Sequence, residues 1–64
     1  MVAARFIVGE RVQTGAVSPI AHAGTVGTIH LVYRYVDLYD VQFDGYPFPR
    51  LMRGRELKRA PAVP

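Results

Sequence analysis

Between Val8 and Thr14 the chain reads apolar, polar, apolar, polar. This is the two-residue period of a strand with one buried and one wet side, and the Thr14-Gly15 break ends it. Gly15 to Gly24, with its Ser18-Pro19 pair, predicts a long loop, because the residue before a proline is pushed away from helix; Val17 and Ile20 are its expected anchors. Thr25 to Val36 is rich in Thr, Val, Ile, Leu and Tyr, which suit a pleated, half-buried surface. It predicts one long strand with a turn near its end, bent at or beside Gly27, where a glycine marks a bulge or a close backbone approach.

Leu38 to Asp44 carries the clearest pattern: Tyr39, Val41 and Phe43 alternate with Asp40, Gln42 and Asp44. The Asp44-Gly45 pair that follows predicts a tight turn, since glycine accepts positive φ and aspartate tolerates it. Phe48 to Met52 is the returning strand, and Pro47 and Pro49 make it an edge or an irregular one. Arg53 to Leu57 reads as a turn with one turn of 3₁₀ helix, before a last short strand over 57–59. The expected domain is 1–60, with 61–64 a disordered tail of the kind common at chain ends.

Sixty-four residues suffice for one domain, and so short a chain buries only about 60% of the surface it exposes when unfolded. With no cysteine there is neither a disulfide framework nor a thiolate metal site. That composition suits a reducing cytoplasm, the expected location. No stretch approaches the roughly 20 apolar residues of a membrane-spanning helix, and Gly9-Glu10-Arg11 interrupts the N-terminal apolar segment before it reaches the length of a signal-peptide core. No membrane partner is expected.

Five short strands, a long first loop and a tight turn suggest a small barrel that closes its sheet to hide its edges. Gly9-Glu10-Arg11-Val12, Gly24-Thr25-Val26-Gly27-Thr28-Ile29, Tyr39-Asp40-Val41-Gln42-Phe43-Asp44-Gly45 and Glu56-Leu57 resemble the SH3-like barrels of many small uncharacterised bacterial proteins. The pattern, from Val8 to Arg59, is also similar to the SH3-like accessory subunit of photosystem I, the variable chain of ferredoxin-thioredoxin reductase and the KOW segments of ribosomal and elongation proteins. The resemblance implies an all-β, SH3-like barrel of about five short strands with one 3₁₀ turn before the last, acting as a docking module toward a larger protein or RNA. Fold alone does not assign the task.

Two narrower resemblances do not hold. Leu38-Tyr39-Asp40 is similar to the signature that opens peptide-binding SH3 domains, yet only 24 residues follow Asp40 and the chain has no tryptophan. The trimethoprim-resistant dihydrofolate reductases of SH3-like fold use a Val-Gln-Ile-Tyr strand, whose place here falls on Phe48-Pro49-Arg50-Leu51. Val41-Gln42-Phe43 lies one strand too early.

No catalytic constellation is legible, and neither a cofactor, a metal nor a small-molecule substrate is expected. His22 and His30 have no metal-ligand spacing. Asp40 and Asp44 lie about 13 Å apart along an extended strand at roughly 3.3 Å per residue, too far to cooperate; with Asp37 they read as solvated-face and turn residues. Ser18 has no glycine elbow.

The chain carries a formal charge of +3, and five of its eight basic residues fall between Arg50 and Arg59. Together with the aromatics this marks Tyr33, Arg34, Tyr35, Tyr46, Phe48, Arg50, Arg53 and Arg55 as the expected contact residues of a protein-interaction module. Tyr33, Tyr35, Val36, Tyr46, Phe48 and Leu51 form its expected apolar part, equally suited to self-association. The alternative is a nucleic-acid face in which Arg34, Arg50, Arg53, Arg55, Lys58 and Arg59 meet phosphates and Tyr33 or Tyr35 stacks on bases.

Overall fold

The structure, a computed structural model, describes residues 4–15 and 24–61. Five strands form one antiparallel sheet: β1 (Arg11–Thr14), β2 (Val26–Tyr33), β3 (Leu38–Phe43), β4 (Arg50–Arg53) and β5 (Leu57–Arg59). A 3₁₀ turn, Gly54–Glu56, joins β4 to β5, and the order across the sheet is β4-β3-β2-β1-β5. The chain is therefore all-β, with about five short strands and a 3₁₀ turn before the last, as the sequence implies. No helix among the described residues is long and apolar enough to cross a membrane. The anchors Val17 and Ile20, with Ser18 and His22 and most of the 61–64 tail, lie outside the described residues.

The alternation on β3 sets the core. Tyr39, Val41 and Phe43 are fully buried and meet Phe6, Val12, Ile29, Met52 and Leu57. Removing each such side chain from water contributes about 1.5–3 kcal/mol, which a domain of this size needs. The Phe6 ring stands edge-on to Tyr39, centroids 5.3 Å apart, and so brings the segment before β1 into the core. Two strand starts differ from the sequence reading by two residues or more. Val8 and Gly9 form a turn, closed by the Glu10 amide donating to the Ile7 carbonyl (3.1 Å), so β1 starts only at Arg11. The prolines hold 47–49 out of the ladder, so the return strand starts at Arg50 rather than Phe48. β2 ends at Tyr33 in the turn expected near its end, closed by the Val36 amide donating to the Tyr33 carbonyl (3.2 Å).

The bend expected at Gly27 is replaced by two separate features. Gly27 is a close approach: a Cβ there would lie 2.8 Å from the Gln42 carbonyl oxygen and 2.9 Å from both Phe43 Cα and Val41 Cγ1. The irregularity of β2 comes three residues later. Ile29 pairs with Val41, but Leu31 pairs with Asp40, so His30 is an extra residue in the ladder.

The turn after β3 forms at Asp44-Gly45, with Gly45 at φ +83° and the Tyr46 amide donating to the Phe43 carbonyl (3.1 Å). Arg11 on β1 holds Asp44 in a two-pronged contact, Nη1 to Oδ1 at 3.0 Å and Nη2 to Oδ2 at 2.6 Å. The hydrogen bonds from Arg11 keep the Asp44 carboxyl below its ordinary range. What the pair contributes is present at neutral pH and is lost as pH falls through that lowered value. Both groups are exposed, so the contribution is small.

Gly27→Ala should destabilise the fold severely, because two of the three contacts are backbone and cannot swing aside. Overpacking of this kind costs about 1–3 kcal/mol or more, against a total of about 3–10 kcal/mol for a chain this short. Urea denaturation followed by circular dichroism should show a midpoint far below wild type or no folded baseline. An unchanged midpoint would mean that β2 and β3 are not in this contact.

Candidate interaction surface

The extra residue at His30 decides what the outer face of the sheet carries. Side chains on a strand alternate faces, and a shift of one position exchanges them. Gly27 and Ile29 point inward; past the bulge the inward residue is Val32, which packs against the core. Leu31 and Tyr33 are thereby turned outward. Without the bulge both would point into a core already filled by Tyr39 and Phe43.

Two cross-strand rows follow on the outer face of β2, β3 and β4. One runs Tyr33, Leu38, Arg53, and the next runs Leu31, Asp40, Leu51. Leu31, Tyr33 and Leu51 are exposed by 44%, 40% and 51%. Asp40 stands between the two leucines and accepts a hydrogen bond from the Tyr33 hydroxyl (3.2 Å), which raises the Tyr33 pKa. Tyr35 and Val36, exposed by 78% and 60%, sit with Arg34 on the turn between β2 and β3.

The expected contact residues thus divide. Tyr33, Arg53 and Leu51 share the outer face, Arg34, Tyr35 and Val36 crown the adjoining turn, and Arg55 lies on the 3₁₀ turn beside that crown. Tyr46, Phe48 and Arg50 form a second group at the other end of β4. Tyr46 packs on Phe43 with ring centroids 5.6 Å apart, and the Arg50 guanidinium lies 5.9 Å above the Tyr46 ring, an arrangement cations favour. Phe48 is exposed by 73% and Arg50 is exposed too, while Tyr46 is half-buried. Leu31 escapes the sequence reading because the bulge that exposes it has no residue-type signature at His30; Leu38 takes the face that the β3 alternation gives it.

The charges are partitioned as well. Arg59 Nε bonds Glu10 (2.7 Å), Arg11 bonds Asp44 (2.6 Å) and Arg5 Nε bonds Asp37 (3.1 Å). Three of the eight basic groups are so engaged, leaving Arg34, Arg50, Arg53, Arg55 and Lys58 without an ion pair among the described residues. Of the nucleic-acid candidates, only Arg59 is neutralised. Asp37, Asp40 and Asp44 have separate partners, as turn and face residues do, and among the described residues no three His, Asp or Glu side chains converge as a metal site. His30 is exposed.

Asp37 anchors the crown. It adopts a left-handed conformation, φ +53°, uncommon for any residue but glycine and tolerated best by Asn and Asp. Its carboxylate accepts from the Tyr39 hydroxyl (2.8 Å) and forms an ion pair with Arg5, and its carbonyl accepts from the Gly54 amide (2.9 Å). The Tyr39 hydroxyl in turn accepts from the Arg5 amide (2.8 Å). Burial, with the bond to Asp37, raises the Tyr39 pKa. On the 3₁₀ turn, the buried Glu56 carboxylate accepts from the Arg53 amide (2.9 Å), one half of a capping box.

Gly54 has no φ that demands glycine, yet a Cβ there would lie 2.5 Å from both Asp37 carboxylate oxygens. Gly54→Ala should therefore expel the carboxylate from its bonds with Arg5 and Tyr39, at a cost of about 1–3 kcal/mol. In an Asp37→Gly background, which keeps the left-handed turn and removes the carboxylate, the same substitution should cost at least about 0.5 kcal/mol less. Denaturant unfolding of the four proteins checks this; strictly additive effects would contradict the contact.

Comparison of the chain with protein-family models, with curated proteins and with solved structures gives no match.

Proposed function

We propose that this chain is a non-enzymatic SH3-like interaction module that docks onto a larger protein through the outer face of β2, β3 and β4 and the turn above it. The observation that carries this reading is the bulge at His30, which costs the sheet a register break and spends it on turning Leu31 and Tyr33 to solvent beside Leu51. Bulges re-aim side chains near functional sites, and contiguous exposed apolar groups mark interaction surfaces. Leucines and a tyrosine flanked by arginines fit a protein interface, where aromatics and Arg are enriched.

A second reading, nucleic-acid binding, is favoured by the uncompensated Arg34, Arg50, Arg53, Arg55 and Lys58. The position of Asp40 weighs against it on this face: the carboxylate at the centre, bonded to Tyr33, would repel phosphates brought in by a base stacked on that ring. A strand held by the arginines alone would bind with strong salt dependence.

Photo-crosslinking separates the two. A benzoylphenylalanine placed at Leu51 or Tyr35, in cells of the source organism, should yield one discrete protein adduct, while the same group at Lys58, on the far end of the sheet, should not. Adducts to nucleic acid from Leu51, or equal protein adducts from Lys58, would overturn the docking reading. An adduct with a second copy of the chain would assign the face to self-association instead.

A further inference from the structure

The crown and the 3₁₀ turn border an open groove of about 460 Å³ lined by Arg5, Val36, Asp37, Leu38, Arg53 and Arg55. We propose that this groove is the acid-recognition subsite of the docking face: it receives a carboxylate side chain of the partner protein, together with an apolar residue beside it. The inference rests on the docking reading and names the chemistry of the partner.

Three guanidiniums face one carboxylate here, so the groove carries an excess of two positive charges. Asp37 meets Arg5 most closely at Nε (3.1 Å), and the guanidiniums of Arg53 and Arg55 have no ion-pair partner among the described residues. These are fork-shaped donors matched to a planar carboxylate. The groove is also built. Asp37 holds Arg5 from below, the missing Cβ of Gly54 admits the Asp37 carboxylate against the 3₁₀ turn, and Glu56 fixes that turn through the Arg53 amide. The arginines are thus carried on a latched frame and are not scattered along a mobile segment.

The lining selects a carboxylate over a phosphodiester strand. Val36 and Leu38 are apolar walls, and Leu38 continues the groove into the row it shares with Tyr33 and Arg53. An acidic residue with an apolar neighbour matches both parts: its charge meets Arg53 and Arg55 at the rim, and its neighbour lies on Leu38. A phosphate backbone would bring successive anions toward Asp37 in the groove lining and toward Asp40 on the adjoining face.

The test is a chemical-shift titration of the ¹⁵N-labelled protein with a blocked peptide, Glu-Leu-Asp-Leu-Glu, against its neutral counterpart Gln-Leu-Asn-Leu-Gln and against oligothymidylate. The acidic peptide should shift the amides of 36–38 and 53–55 saturably. The neutral peptide should shift none of these, and the Arg53→Ala/Arg55→Ala protein should bind the acidic one at least ten-fold more weakly, with the amides of Val12 and Lys58 unmoved as proof of fold. Equal binding of the two peptides, full binding by the double variant, or shifts in this region with oligothymidylate alone would overturn the proposal. A discrete protein cross-link from Leu51 without any peptide shift here would overturn this subsite and leave the docking reading standing. Peptide binding here without that cross-link would support the subsite and count against the face as a dock.

Discussion

One extra residue in β2 governs what this small protein shows to its surroundings. Antiparallel strands alternate their side chains without choice, so a chain that must bury Gly27 and Ile29 on one face would bury Leu31 and Tyr33 on it too. The bulge at His30 breaks that rule once, at the point where β1 ends its pairing and the Gly9 and Glu10 backbone takes over the bonds to Ile29. From there on Val32 faces the core. The apolar residues released to the surface complete two rows whose other members, Leu38, Asp40, Leu51 and Arg53, are set by the regular ladder.

The second constraint is steric and sits at two glycines. At Gly27 the absent side chain lets the backbones of β2 and β3 approach closely; at Gly54 it lets a carboxylate lie against the 3₁₀ turn. Asp37 can then join three segments distant in sequence: the stretch before β1 through Arg5, β3 through Tyr39, and the link from β4 to β5 through the Gly54 amide. A chain without disulfides and with a core of few residues gains from such ties. The same ties hold Arg5, Arg53 and Arg55 around one groove, so the group that fastens the barrel also arranges its charge.

Most of the fold was legible because it follows from local rules. The Tyr39-Val41-Phe43 alternation, the Asp44-Gly45 turn and the short 3₁₀ segment each depend on neighbours in sequence. Strand ends were less legible, since the prolines at 47 and 49 and the turn at Val8-Gly9 compete with the pattern around them. The surface was only half legible. Tyr33, Arg53 and Leu51 could be named as exposed candidates from composition, and the β3 alternation puts Leu38 on the same side, but Leu31 could not be named, because the register shift arises from the pairing of β2 with β3 and from no residue type at His30. Gly27 was recognised as special, and of the two roles a strand glycine can have it takes the close approach. The contact between Asp37 and Gly54 joins residues 17 positions apart and leaves no trace in either local pattern.

The register of β2 against β3 in solution is the most direct measure of this account. Cross-strand nuclear Overhauser contacts should pair Ile29 with Val41, then Leu31 with Asp40 and Val32 with Tyr39, skipping His30. An unbroken series, with His30 opposite Asp40 and Leu31 opposite Tyr39, would return Leu31 and Tyr33 to the core side and contradict the surface described for this protein.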